Sequence, residues 1–287
     1  MSDLLTNQLT NKQLLQFIAY PSNCLLLVGK NGSGKLSLAN YLVNTILGTS
    51  KTIKNGIDYI VISPNDGLIS IENIRDINTF LRLKTVGEST FRRAVIIEHA
   101  EAMPTGAQNA LLKLIEEPPE DTLIIMTVDS KNSLLPTVLS RLKQIEIKKV
   151  AQAELKDYLS AKGYDDESVK LGMLVSDNLV GRSIQVLSGE SEMNLDVLNK
   201  AKKILLSDTY TKLLEVNELV KDKSSVKLLI DGLIEIAKAS LANAASKNNI
   251  GSLKNWNKIL KEAIDAKASI AMNANPKLVL DKLFLNI

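Results

Sequence analysis

In "CLLLVGKNGSGKLSLANYLVNTIL", residues 24–47, an apolar run enters a glycine-rich turn and leaves it as a segment with apolar residues at helical spacing. The reading is strand, turn, helix. Gly29, Gly34 and Lys35 match the spacing G-x-x-x-x-G-K, with Gly32 between them. Glycines let backbone N–H groups curl around phosphates, a helix N-terminus favours anions, and the lysine reaches the terminal phosphates. Position 36, however, holds Leu36 where a Ser or Thr would bind magnesium, and Ser37 lies about 100° further round the helix. Two readings are open: a weak nucleotide site with a badly held metal, or a loop that keeps its shape without nucleotide.

Working outward, further strand-like runs occur at 58–62 ("DYIVI"), 94–97 ("AVII"), 122–128 ("TLIIMTV") and 144–147 ("QIEI"). Helical patterns lie between them. In "TGAQNALLKLIEE", Ala107, Ala110, Leu111, Leu114 and Ile115 recur at helical spacing before Pro118 and Pro119 stop the helix. Short buried strands alternating with helices predict an α/β domain with a parallel sheet covered on both faces, over residues 1–148. Beyond it the strand signal fades. Amphipathic helices predict a small helical domain over 149–192 and an all-helical C-terminal block over 193–287. Gly163, Gly181 and Gly189 are expected breaks, and "SLANAASKNNIGS" is the expected loop. Trp256, on an amphipathic helix, is expected to pack.

The chain has 287 residues, 45% hydrophobic and 4% aromatic, which points to a helix-rich globular protein of two or three domains. No apolar run reaches the roughly 18 residues of a membrane span, and the start lacks a basic-then-apolar signal pattern, so a cytoplasmic protein with no membrane partner is expected. Cys24 and His99 are the only Cys and His, which excludes a disulfide framework and a structural zinc set, and no metal site is expected. A net charge of +3 is too mild to imply nucleic-acid binding. Of 35 basic residues only six are Arg: Arg75, Arg82, Arg92, Arg93, Arg141 and Arg182. Where Arg is this scarce, its planar fork is a candidate for work that Lys cannot do. Arg75 and Arg82, about two helical turns apart, could form one basic face towards DNA phosphate, or serve as solvated charges.

A phosphate-loop ATPase would carry Asp then Glu at the end of "AVIIEHAEAM", one holding magnesium and one polarising water. Here Glu98 and His99 stand there. Glu98 could still approach a metal, whereas an imidazole beside triphosphate tends to protonate and lose its capacity as a base. The alternative is that His99 is a partly buried polar residue at a strand end.

"QNALLKLIEEPPEDT" followed by "LLPTVLSR" resembles the clamp-loader branch of the AAA+ proteins, and the layout of the whole chain is similar to that branch's delta-prime family. The end "NANPKLVLDKLFL" is similar as well. The resemblance implies an AAA+ domain with a five-stranded parallel sheet, a helical lid and a collar-type oligomerisation domain. It implies that Ser140 and Arg141 form the start of a Ser-Arg-Cys motif, with Leu142 in the Cys place, whose arginine reaches ATP on a neighbouring subunit. A guanidinium suits that role because it is always charged and forks onto phosphoryl oxygens. Arg182 falls on the position of an arginine that projects from the lid towards the subunit's own nucleotide, and apolar Val128 falls on a position that is usually polar. The family's four-cysteine zinc module has no counterpart here, so no zinc is carried over.

The implied partners are the motor subunits and a delta-type subunit in a hetero-oligomeric ring, the sliding clamp indirectly, and primed DNA through the assembled complex. The implied cofactor is ATP at a neighbouring interface, with weak nucleotide in the chain's own pocket as the other option. Two rival readings are an AAA+ ATPase that hydrolyses ATP itself and a DNA-binding module outside replication.

Overall fold

The computed structural model describes residues 4–48, 59–82 and 90–287. Asp58 and Leu83, at the edges of the expected strand and helix, lie outside the described residues. The chain divides into two compact units, Met1–Ala151 and Gln152–Ile287.

In the first unit the elements are α1 (Gln8–Ala19), β1 (Cys24–Val28), α2 (Lys35–Leu47), β2 (Tyr59–Ile62), α3 (Ile71–Leu81), β3 (Arg93–Ile97), α4 (Thr105–Glu116), β4 (Thr122–Val128), α5 (Pro136–Leu139) and β5 (Lys143–Glu146). The five strands form one parallel sheet in the order β2-β3-β4-β1-β5, as expected. Successive side chains on a strand point to opposite faces. Leu25 and Leu27 join Leu14 and Phe17 of α1 and Leu38 and Leu42 of α2 in one apolar cluster. Leu26 and Val28 join Ile74 and Ile77 of α3 and Leu111 and Leu114 of α4 in another. Covering both faces explains why "CLLLV" is apolar throughout instead of alternating. Each fully buried Leu contributes about 1.5–3 kcal/mol.

Helix α4 buries Ala107, Leu111, Leu114 and Ile115 and ends before Pro118, but Ala110 is exposed. Ala110 lies on the rim of the buried stripe, and polar Gln108 takes an inward place instead. Strand β1 lies between β4 and β5, so the loops after β1 and β4 open side by side at the carboxyl ends of the sheet. That is the usual crevice for ligands in an open α/β sheet.

The second unit comprises α6 (Gln152–Ala161), α7 (Asp166–Val175), α8 (Val180–Ser188), α9 (Leu195–Leu206), α10 (Thr209–Leu219), α11 (Lys223–Ser246), α12 (Ile250–Ala271) and α13 (Pro276–Asn286). Leu171, Val175 and Val186 share one core with Leu198, Leu229, Leu233 and Phe284, so the helices of 149–192 pack with those of 193–287. Trp256 packs against the same core. Gly163 and Gly189 sit at breaks with positive φ, but Gly181 lies inside α8. The break before α8 is made by Asp177 and Asn178 at φ of 53° and 57°, residue types that tolerate the left-handed region. "SLANAASKNNIGS" is mostly helix: only Lys247–Asn249 stay outside α11 and α12. Alanine's helix propensity carries α11 onward, and Asn249 caps α12 by accepting from the N–H of Ser252. Among the described residues no helix is long and apolar enough to cross a membrane.

Candidate functional site

The glycine-rich loop leaves β1 and enters α2 at the carboxyl edge of the sheet. Gly32 and Gly34 adopt φ of 82° and 88°, a backbone that side chains rarely permit. Gly29 is required for a different reason: a Cβ there would stand 2.9 Å from Ser33 Oγ and 3.1 Å from Ile147 Cβ. The loop is held in its curl by packing against the end of β5 and by Ser33 N–H donating to Lys30 O at 3.0 Å.

Lys35 is buried, and its ammonium donates to Gly29 O at 2.7 Å, Lys30 O at 3.2 Å and Asp129 Oδ1 at 2.7 Å. An ammonium has three protons, so its donor capacity is spent within the protein. Leu36 is half-buried against the α1 and α2 face of the sheet, and Ser37 is exposed. Position 36 therefore carries no hydroxyl, and the hydroxyl of Ser37 lies one residue further along α2.

The loops after β3 and β4 complete this edge. Glu98 accepts from Ser63 Oγ at 2.9 Å through Oε2, and its Oε1 lies 3.9 Å from His99 Nε2. His99 adopts φ of 52°, its N–H donates to Thr127 Oγ1 at 3.1 Å, and its Nδ1 is 2.9 Å from Glu101 Oε1. Ligand atoms of His99, Glu101 and Asp129 lie within 4.8 Å of one another, but Lys35 already neutralises Asp129. His99 is therefore a partly exposed strand-end residue tied to two carboxylates. Asp129 is the functional neighbour that the sequence reading passed over. The signal was there: it directly follows Val128 at the end of β4, the strand registered beside β1 with Val28 opposite Val128.

Arg141 belongs to the other edge. Buried Gln108 on α4 donates to Met103 O and Ser133 O at 3.0 and 3.3 Å and accepts from Leu135 N–H at 2.8 Å, which fixes the entry to α5. Pro136 then opens that short helix. Val138 and Leu142 turn into the core, so Leu142 fills its place as an apolar residue, while Arg141 between them points outward. Arg141 Nη1 donates to Thr137 O at 2.7 Å and to Ser140 Oγ at 3.2 Å, and Nη2 pairs with Glu116 Oε1 at 2.7 Å. Lys143, two residues on, starts β5 level with Leu25 at the start of β1. Arg141 therefore stands at the amino edge of the parallel sheet, a strand's length of roughly 10 Å or more from the edge that carries Lys35.

The remaining arginines divide by task. Arg93 is buried and forks onto Asp121, with Nη2 at 3.0 Å and Nε at 3.3 Å from Oδ1, while Nη1 donates to Leu81 O at 2.6 Å, and Arg92 Nη2 meets Asp121 Oδ2 at 3.4 Å. This is work for a planar fork that the sequence did not assign. Arg75 and Arg82 are exposed and line one groove between α3 and α4 together with Lys113. In the second unit, Arg182 Nη2 pairs with Glu235 Oε2 of α11. Lys238 approaches the same carboxylate group at 3.3 Å.

Residues 3–151 match the family described as "DNA polymerase III, delta subunit". The chain is 32% identical over 143 residues to DNA polymerase III subunit delta' of Pseudomonas aeruginosa, covering 44% of this chain and 43% of that protein. It is 26% identical over 172 residues to the subunit delta' of Bacillus subtilis, covering 55% and 52% respectively. The chain thus spans about half the length of the relatives it matches. Among solved structures, a DNA polymerase III gamma subunit-related protein from Thermotoga maritima superposes with a TM-score of 0.56 at 18% identity, covering 96% of this chain and 97% of that one. That likeness is one of fold, and it bears out the AAA+ architecture with a helical C-terminal region. With a matched family model over more than half its length, the chain belongs to the DNA polymerase III delta subunit family, in its delta-prime branch.

Proposed function

We propose that this chain is a delta-prime-type subunit of a replicative clamp loader that does not hydrolyse ATP itself. It supplies Arg141 in trans to ATP held by a neighbouring motor subunit while the complex opens a sliding clamp and places it on primed DNA. It works in the cytoplasm, in a hetero-oligomeric ring with motor subunits and a delta-type subunit. The chain's own glycine-rich loop holds nucleotide weakly or not at all, and the rest of the chain acts as a rigid wall against which the neighbour moves.

One observation carries this reading. Arg141 faces solvent at the amino edge of the sheet, whereas Lys35 and its loop occupy the carboxyl edge. A phosphoryl group met by Arg141 must come from another molecule. The three acceptors around Lys35 and the apolar Leu36 support the second half of the proposal.

The purified chain tests the rivals directly. Incubated with magnesium and ATP it shows no turnover; turnover that is abolished by Lys35→Ala establishes the ATPase reading instead. Salt-dependent DNA binding by the isolated chain, through the groove of Arg75, Arg82 and Lys113, supports the DNA-module reading. Binding that arises only in the assembled complex removes it.

A further inference from the structure

The two terminal nitrogens of Arg141 are held in different ways. Nη1 is tied to its own turn through Thr137 O and Ser140 Oγ, contacts that fix the direction of the guanidinium. Nη2 is tied to Glu116, the last residue of α4, through a single carboxylate oxygen at 2.7 Å. Both partners of this pair are accessible, with side-chain exposures of 35% and 45%. The pair is therefore a reversible one, since exposed ion pairs are weak and exchange with solvent.

A carboxylate on a guanidinium uses the same fork that a phosphoryl oxygen would use. Among the described residues, Glu116 forms an ion pair with Arg141 alone. The helix it ends is stopped by Glu117, Pro118 and Pro119, and α4 is held to the sheet by Ala107, Leu111, Leu114 and Ile115. Glu116 Oε1 occupies the hydrogen-bonding position on Nη2 of Arg141. Thr137 and Ser140 need not move for a phosphoryl oxygen to take it.

We propose that Glu116 gates Arg141: its carboxylate holds the outward nitrogen until an anionic phosphoryl group of a nucleotide on a neighbouring molecule displaces it. The inference rests on the reading of Arg141 as an arginine acting in trans. Glu116 is a positioning residue, and no bond is made or broken on it. The gate prevents the exposed guanidinium from being taken by other anions before assembly and sets how much of the nucleotide's interaction is spent on displacing the carboxylate.

The experiment is an ATP titration of the steady-state ATPase of the reconstituted clamp loader, with this subunit as wild type, Glu116→Gln, Glu116→Asp or Arg141→Ala. Glu116→Gln removes the competing charge at nearly constant size. The expected result is a KM for ATP lowered about two- to fivefold, the range that an exposed ion pair is worth, with kcat unchanged. Glu116→Asp restores the wild-type KM. An unchanged KM in Glu116→Gln, or a fall in kcat with KM constant, overturns the gate. The Arg141→Ala arm separates the two layers. If it abolishes the stimulated rate while Glu116→Gln leaves KM unchanged, the gate alone is wrong. If Arg141→Ala leaves the rate intact, both the gate and the reading of Arg141 fail.

Discussion

Lys35 and Arg141 stand at opposite edges of one sheet and in opposite relations to solvent. Lys35 is 6% exposed, with its ammonium spent on Gly29 O, Lys30 O and Asp129, whereas Arg141 offers a nitrogen to Glu116 across an accessible surface. On the proposed reading, a lysine of the glycine-rich loop that satisfies itself within the protein serves the fold. An arginine whose Nη1 is tied to its own turn and whose Nη2 meets one exchangeable carboxylate can be recruited through Nη2. On that reading, structural work falls to the carboxyl edge and available charge to the amino edge.

That division fails if stability costs do not follow burial. The largest cost is expected from Arg93→Ala, which removes the fork from buried Asp121 and leaves it Arg92 Nη2 at 3.4 Å and the Thr122 hydroxyl at 3.2 Å. Breaking a buried pair costs about 3–5 kcal/mol, and because Arg92 stays beside the carboxylate the low end, about 3 kcal/mol, is expected, read as a lower urea midpoint for the first unit. Lys35→Ala comes next. Losing its charge-assisted bonds costs about 1.5–3 kcal/mol in the same measurement, and added magnesium and ATP do not offset the difference between the variant and wild type. Arg141→Ala follows at about 0–1 kcal/mol, because its pair with Glu116 is exposed. An Arg141→Ala variant as destabilised as Arg93→Ala breaks the comparison outright.

A smaller effect, in the second unit, sharpens the same point about exposed groups. The hydroxyls and N–H groups of Ser224 and Ser225 hold the Asp222 carboxyl at the start of α11 down to about 2, below its ordinary 3.8. A depressed folded pKa means that this cap stabilises fully above the ordinary value and is lost as the pH falls through about 2. The measurement that isolates this cap is the difference in helical circular dichroism between wild type and Asp222→Asn, followed from about pH 5 to about pH 2. Asp222→Asn keeps a capping oxygen and flattens that limb of the curve.

Much of this was legible in the sequence, because each strand of the first unit is a short apolar run bounded by turn residues and the glycine spacing fixes a strand-to-helix turn. The Ser-Arg turn is marked in the sequence only by the family resemblance of "LLPTVLSR", and the inward places of Val138 and Leu142 are what the structure adds. What the sequence withheld were partners distant along the chain. Asp129 lies 94 residues from Lys35 and Glu116 lies 25 from Arg141 (141 minus 116), and no local pattern pairs them. Asp121 meets Arg93 only because β3 and β4 are neighbours in the sheet. Helix ends were misjudged for local reasons: alanines extended α11 through a stretch whose polar tail suggested a loop, and Asp177 and Asn178 made a turn expected of Gly181.

The central claim is that the usable charge of this chain is Arg141, acting on a neighbour's nucleotide, while Lys35 serves the fold. The most direct measurement is the clamp-stimulated ATPase rate of the reconstituted loader, comparing Arg141→Ala with Lys35→Ala at a temperature where both variants are folded. An arginine acting on transferring phosphate is worth on the order of 10³-fold or more at its own site. The account predicts a clear loss of rate with Arg141→Ala and a rate close to wild type with Lys35→Ala. Equal tolerance of both changes, or a loss confined to Lys35→Ala, would contradict it.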